Sequence, residues 1–113
     1  MSTLPNLQKH PRIIWKKYTD EAKGQPCTMN SPWCTYNDEQ TCFRHLNESF
    51  AGKGKGLKAD DFAGFDGCQG CEDWYNSDIH SLDLDDENER DWYAFRAMVR
   101  TLRNRVERGI LKI

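Results

Sequence analysis

The chain has 113 residues, 30% of them charged and 37% hydrophobic, with five cysteines and a formal charge of −2 at neutral pH. That length holds one domain with a modest core, and no apolar run approaches the ~20 residues that cross a bilayer. An odd number of cysteines and no stretch of secretory-signal type argue for a reducing compartment; the expectation is a soluble, cytoplasmic protein that uses metal in place of disulfides.

Residues 1–12 carry Pro5 and Pro11 with little apolar periodicity, which predicts an extended arm ordered only where it docks; we place this arm at residues 1–18 and a single domain at 19–113. Thr19-Asp20-Glu21-Ala22 before Gly24 reads as one helical turn, with Thr19 as cap and Gly24 as stop. Cys27 and Cys34 enclose Asn30-Ser31-Pro32, a turn-forming composition that folds the segment into a knuckle with both sulfurs facing one point. Thr41 to Leu46 is the best strand, with Cys42, Arg44 and Leu46 on one face and Phe43 and His45 on the other. Cys42 is expected to be buried there.

Gly52-Lys53-Gly54-Lys55-Gly56 cannot pack a core and must be a loop. Phe62 to Phe65 predicts a second short strand leading into Cys68, and a helix starts at Cys71 and runs through Trp74, Tyr75 and Asn76. Trp33, Trp74 and Tyr75 are expected in the core. From about Asp86 to Arg108, Trp92, Phe95, Val99, Leu102 and Val106 recur at alternating three- and four-residue steps, the clearest helix of the chain. Acid at its start, arginine along its later turns and Gly109 past its end agree with the helix dipole and a glycine stop.

Charge is segregated. Asp83, Asp85, Asp86, Glu87, Glu89 and Asp91 fall in one segment, and Arg96, Arg100, Arg103, Arg105, Arg108 and Lys112 follow it. Such basic stretches are either solvated surface or a nucleic-acid footprint. The acidic segment is no calcium loop, because Asn88 rather than glycine holds the sixth position from Asp83.

Cys68-Gln69-Gly70-Cys71 puts two thiolates on a tight turn at a helix start, where N–H groups and the positive helix end stabilise negative sulfur. With Cys27 and Cys34 this completes a four-sulfur tetrahedral site, closed to substrate, so that a bound zinc is structural and contributes to folding. The competing readings are a redox pair, which lacks the surrounding βαβ pattern, buried unliganded thiols, or Cys42 replacing Cys34. His45 lies between the cysteine pairs and Glu72 follows the last cysteine, so a strand and a helix anchored by one zinc can aim both at a common point. Imidazole accepts a proton from water near neutral pH and a carboxylate holds Mg²⁺ against a phosphate, the combination that metal-assisted phosphodiester cleavage requires. A lone strand histidine is, by composition alone, more often structural.

The order Ala22-Lys23-Gly24-Gln25-Pro26-Cys27, Cys34, Arg44-His45-Leu46, Gly54-Lys55-Gly56-Leu57-Lys58-Ala59-Asp60-Asp61 and Cys68-Gln69-Gly70-Cys71, with Phe95 to Leu102 in the tail, resembles the prophage YbcO-like nuclease family. That family belongs to the broad HNH, or His-Me finger, class, and the resemblance spans about residues 19–111. It implies an α+β fold: a small treble-clef zinc domain whose knuckle, β-hairpin and helix form a ββα-metal core, followed by a C-terminal amphipathic helix. It implies a metal-dependent DNA endonuclease of phage type in the host cytoplasm, with phage recombination or replication proteins as further partners.

On this resemblance His45 matches the general base and a ligand of the catalytic metal. Glu72 stands where the family has histidine as a metal ligand, a departure that favours harder cations such as Mg²⁺ or Mn²⁺. Asn76 and His80 match later polar positions and are further ligand candidates, as is Asp73, which reads more simply as a solvated helix residue. Arg44, Lys53, Lys55, Lys58, Arg96 and Arg100 are the candidates for DNA contact, the glycine-lysine loop laying N–H and ammonium groups along phosphates. That loop is not a P-loop, lacking Ser or Thr at the required spacing. The alternative is a noncatalytic zinc-stapled module that binds DNA or a phage protein, with Glu72 marking absent chemistry.

Overall fold

The computed structural model describes residues 11–47, 59–76 and 84–112, and the side chains of the last helix from Asn88 onward. In chain order these are α1 (Lys16–Asp20), a 3-10 turn (Asp38–Gln40), β1 (Cys42–His45), β2 (Gly64–Gly67), α2 (Gln69–Tyr75) and α3 (Leu84–Glu107). The architecture is small α+β: one two-stranded antiparallel sheet and three helices. Cys42 stands opposite Gly67 and His45 opposite Gly64, so the hairpin returns the chain to Cys68 beside the start of β1.

The arm docks. Arg12 donates to the Ala59 carbonyl at 3.1 Å, and the Ile13 N–H donates to the Asp60 carboxylate at 2.7 Å. α1 begins three residues before the expected turn, and Thr19 does not cap it: its hydroxyl donates back to the Lys16 carbonyl at 3.1 Å. Tyr18 projects into the interior and is fully buried, while the chain leaves the following turn through Gly24 at φ +79°. β2 starts at Gly64 rather than Phe62 because the Ala63 N–H closes a turn on the Asp60 carbonyl at 2.9 Å, which delays pairing and leaves Phe62 exposed. α2 begins two residues before Cys71, with Cys68 as its cap.

Three further expectations are corrected. Cys42 is exposed, because it opens β1 at the end of a two-stranded sheet, opposite Gly67, which has no side chain to cover it. Trp33 is 65% exposed on the knuckle; Tyr75 is buried and Trp74 half-buried against Tyr93, ring centroids 5.3 Å apart. The third correction concerns α3. An amphipathic helix ordinarily turns its large apolar residues inward, yet Trp92, Phe95 and Val99 are 56%, 64% and 48% exposed. Buried instead are Ala94, Ala97, Thr101 and Arg105.

The reason lies in β2, against which α3 packs. Phe65 fills the core with Met29, Leu46 and Tyr75, so the helix can approach only through alanine. Next in the strand is Asp66, whose carboxylate takes two charge-assisted bonds of 2.7 Å from Arg105, both side chains wholly excluded from solvent. Arg105 also donates Nε to the Tyr18 carbonyl at 2.9 Å, so one guanidinium ties α1, β2 and α3 together. Thr101 accepts the Asp66 N–H at 3.0 Å, and the Thr28 hydroxyl donates to the Asp66 carbonyl at 2.8 Å. The Asp66 carboxylate, N–H and carbonyl and the Arg105 guanidinium therefore all have partners, as burial requires.

Candidate metal centre and the histidine beside it

Cys27 and Cys34 come from the knuckle, Cys68 and Cys71 from the start of α2, and the four sulfurs lie within 4.8 Å of one another. Cys27 and Cys71 are 3.6 Å apart, Cys34 and Cys68 3.7 Å. A disulfide would need ~2.05 Å. Four sulfurs arranged tetrahedrally at ~2.3 Å from a zinc ion would stand about 3.8 Å apart, so the donor set and its spacing fit such an ion.

The loops are shaped to serve these sulfurs. Cys34 Sγ accepts the Tyr36 N–H at 3.4 Å, a bond for which Tyr36 adopts the left-handed φ of +55°; that conformation costs a non-glycine residue on the order of 1 kcal/mol. Cys68 Sγ accepts the N–H groups of Thr35 and Cys71, each at 3.4 Å, and Cys71 Sγ accepts the Ser31 N–H at 3.4 Å. Gly70 lets α2 meet the knuckle: a Cβ there would lie 2.2 Å from the Trp33 carbonyl oxygen.

Crowding splits the acidities of the thiols. The hydrogen bond from Cys71 lowers Cys27 to about 4, and the same bond, with burial, raises Cys71. Burial opposes ionisation of Cys68, but donors from Thr35 and Cys71 outweigh it and lower its pKa; burial raises Cys34. Zinc binds thiolate, so metal binding at these sulfurs would release the thiol protons.

Arg96 and Arg100 hold the knuckle from α3. Arg96 donates to the Met29 carbonyl at 2.8 Å and lies over the Trp92 and Tyr93 rings at 4.8 and 4.9 Å. Arg100 donates to the Thr28 carbonyl at 3.4 Å and the Asn30 side chain at 3.2 Å.

His45 ends β1 with Nε2 2.9 Å from Asp61 Oδ1, its ring edge-on to Phe43 at 5.1 Å. Asp61 is buried, and also accepts from Arg12 at 2.5 Å and from the Trp15 N–H at 2.7 Å. Burial alone would raise its pKa, but the His45 bond, the Trp15 N–H and the Arg12 charge together lower it. An ionised carboxylate only accepts, so Nε2 carries a proton, and in a neutral imidazole the lone pair is then on Nδ1. This pairing, with a partially exposed ring, leaves one nitrogen anchored and the other able to take a proton. The sequence reading missed Asp61 and Arg12 as site residues, although Asp60-Asp61 lies within the motif order that carried the resemblance.

Glu72 does not meet His45 here. It pairs with Arg44, which follows the alternate face of β1 and also donates to the Gly67 carbonyl at 3.0 Å. Asn76 accepts from Asn47, and Asp73 accepts from Gln69 at 2.8 Å. His80, Lys53, Lys55 and Lys58 lie outside the described residues. Among the described residues the four cysteines are the only group of three or more His, Cys, Asp or Glu side chains close enough to share an ion, and no helix is long and apolar enough to cross a membrane.

A family model described as "Putative nuclease YbcO" matches residues 16–110. The fold is similar to a solved "putative bacteriophage protein" from Escherichia coli K-12 MG1655, with a TM-score of 0.61 and 21% identity over 80% of this chain and 98% of that one. No curated protein matches the chain.

Proposed function

This chain belongs to the YbcO family, and from that premise we propose that it is a DNA endonuclease of phage type, hydrolysing phosphodiester bonds in the host cytoplasm. The observation that carries the reading is the His45–Asp61 pair at the end of a hairpin that the cysteine cluster adjoins. His45 Nδ1 removes a proton from the attacking water, and the buried Asp61 carboxylate, itself fixed by Arg12 and the Trp15 N–H, orients the ring and balances the imidazolium that forms.

We assign the four cysteines to structural zinc, and the order knuckle, hairpin, helix to a treble clef with the ββα core of the HNH class. The reading includes a catalytic Mg²⁺ or Mn²⁺ that would stabilise charge on the phosphate. The described candidates for it are each engaged within the protein: Glu72 by Arg44, Asn76 by Asn47, Asp73 by Gln69 and His45 by Asp61. DNA is the proposed partner, through Lys53, Lys55 and Lys58 with Arg44, Arg96 and Arg100, and phage recombination or replication proteins are the proposed protein partners.

The test is nicking of supercoiled plasmid by zinc-loaded protein in Mg²⁺ or Mn²⁺, with EDTA, His45→Ala and Asp61→Asn as controls. Loss of a general base should cost on the order of 100-fold or more, with zinc content and far-UV circular dichroism unchanged in His45→Ala. Full cleavage by His45→Ala would overturn the assignment. The second reading, a noncatalytic zinc-stapled module binding DNA or a phage protein, is favoured by the ion pair that occupies Glu72. No cleavage by the folded protein, with activity gained in Glu72→His, would select it.

A further inference from the structure

We propose that α3 is a self-association surface, along which two copies of this chain pair antiparallel through Trp92, Phe95, Val99, Leu102 and Val106. The helix has two working faces. Ala94, Ala97, Thr101 and Arg105 are buried within the protein. The large apolar side chains lie roughly a third of a turn away, at 100° per residue, with Trp92, Phe95 and Val99 about half or more exposed and Leu102 and Val106 partly so.

The spacing of this second stripe specifies its occupant. Steps of three, four, three and four make a narrow seam of the a and d type, which is filled by the side chains of another helix. The flanking charges say which helix. Glu89 and Asp91 are exposed toward the amino end, and Arg103 toward the carboxyl end. A two-fold axis near the middle of α3 lays acid against base at both ends of one self-complementary contact, with Phe95 beside the partner copy's Val99 and Glu89 beside the partner copy's Arg103. Arg103 is free to exchange partners, since its bond to Glu107 is a surface contact of 3.3 Å. Arg96, which the axis would bring near its own copy, is drawn inward to the Met29 carbonyl. A parallel pair would set acid beside acid.

The three most exposed side chains offer on the order of 300 Å² per copy, less than half of a standard interface side of ~800 Å². The dimer is accordingly a micromolar one. Sedimentation velocity on the zinc-loaded full chain, from about 1 µM to about 500 µM, should show a concentration-dependent shift from monomer to dimer. Phe95→Glu should abolish it. Glu89→Arg should weaken it about tenfold, and adding Arg103→Glu to the same chain should restore it, because both charge contacts are then reversed together. Zinc content and circular dichroism check that each variant is folded. A monomer throughout the range overturns the proposal. So does a dimer indifferent to Phe95→Glu, and a dimer that Arg103→Glu fails to rescue overturns the antiparallel arrangement.

Discussion

Replacing Arg105 with methionine keeps the buried stem and deletes the guanidinium, which leaves the Asp66 carboxylate and the Tyr18 carbonyl buried without their partner. Both members of the pair are wholly excluded from solvent, so the exposed-pair discount does not apply. Removing one member of such a pair costs about 3–5 kcal/mol, most of it the desolvation of the charge left behind. A domain of this size has roughly 5–15 kcal/mol in total. At about 4–8 °C per kcal/mol, the midpoint should fall by on the order of 20 °C. Urea and thermal unfolding of zinc-loaded protein, followed by circular dichroism, would measure this for Arg105→Met, Asp66→Asn and the double variant. The double variant should lie well short of the sum of the singles, with a coupling of about 2 kcal/mol. A loss below about 1 kcal/mol in Arg105→Met, or simple additivity, would refute the account of one guanidinium joining α1, β2 and α3.

Gly70→Ala should weaken zinc retention at least about tenfold in competition with a chromogenic chelator, which is about 1.4 kcal/mol, because the new methyl meets the Trp33 backbone 2.2 Å away. Retention equal to the wild type would show that the knuckle can retreat. Asp61 has a lowered pKa in the fold, so its ionised form contributes stability fully above the ordinary carboxylate value of ~3.9 and loses that contribution as pH falls through the folded value. Asp61→Asn should therefore be less stable than wild type at neutral pH, with the gap closing in acid. A gap in urea midpoint that is constant down to pH ~3 would contradict the assignment.

Some of this was legible in the residues. The four cysteines were, because ligand spacing is a local property and a turn that aims two sulfurs needs only a few residues around it. β1 was, because alternation is also local. His45 was singled out, yet its partner was not: Asp61 is sixteen positions away and arrives only through the hairpin register. Arg105 was counted among surface cations, since hydropathy cannot tell a guanidinium facing water from one facing Asp66. The same blindness affected α3, where large apolar residues advertise a core face that alanine and threonine occupy. Thr19 misled for a related reason: a hydroxyl that caps one turn can equally bond back within it.

The grip of Arg96 and Arg100 on the Met29 and Thr28 carbonyls makes the knuckle and the last helix one mechanical body. Neither can fray without the other, so their amides should share a single opening free energy in hydrogen exchange rather than two. Chelation at the sulfurs would then be felt by amides in the middle of α3, far along the chain from any cysteine, and a ligand on the outer face of that helix would in turn slow the departure of the metal.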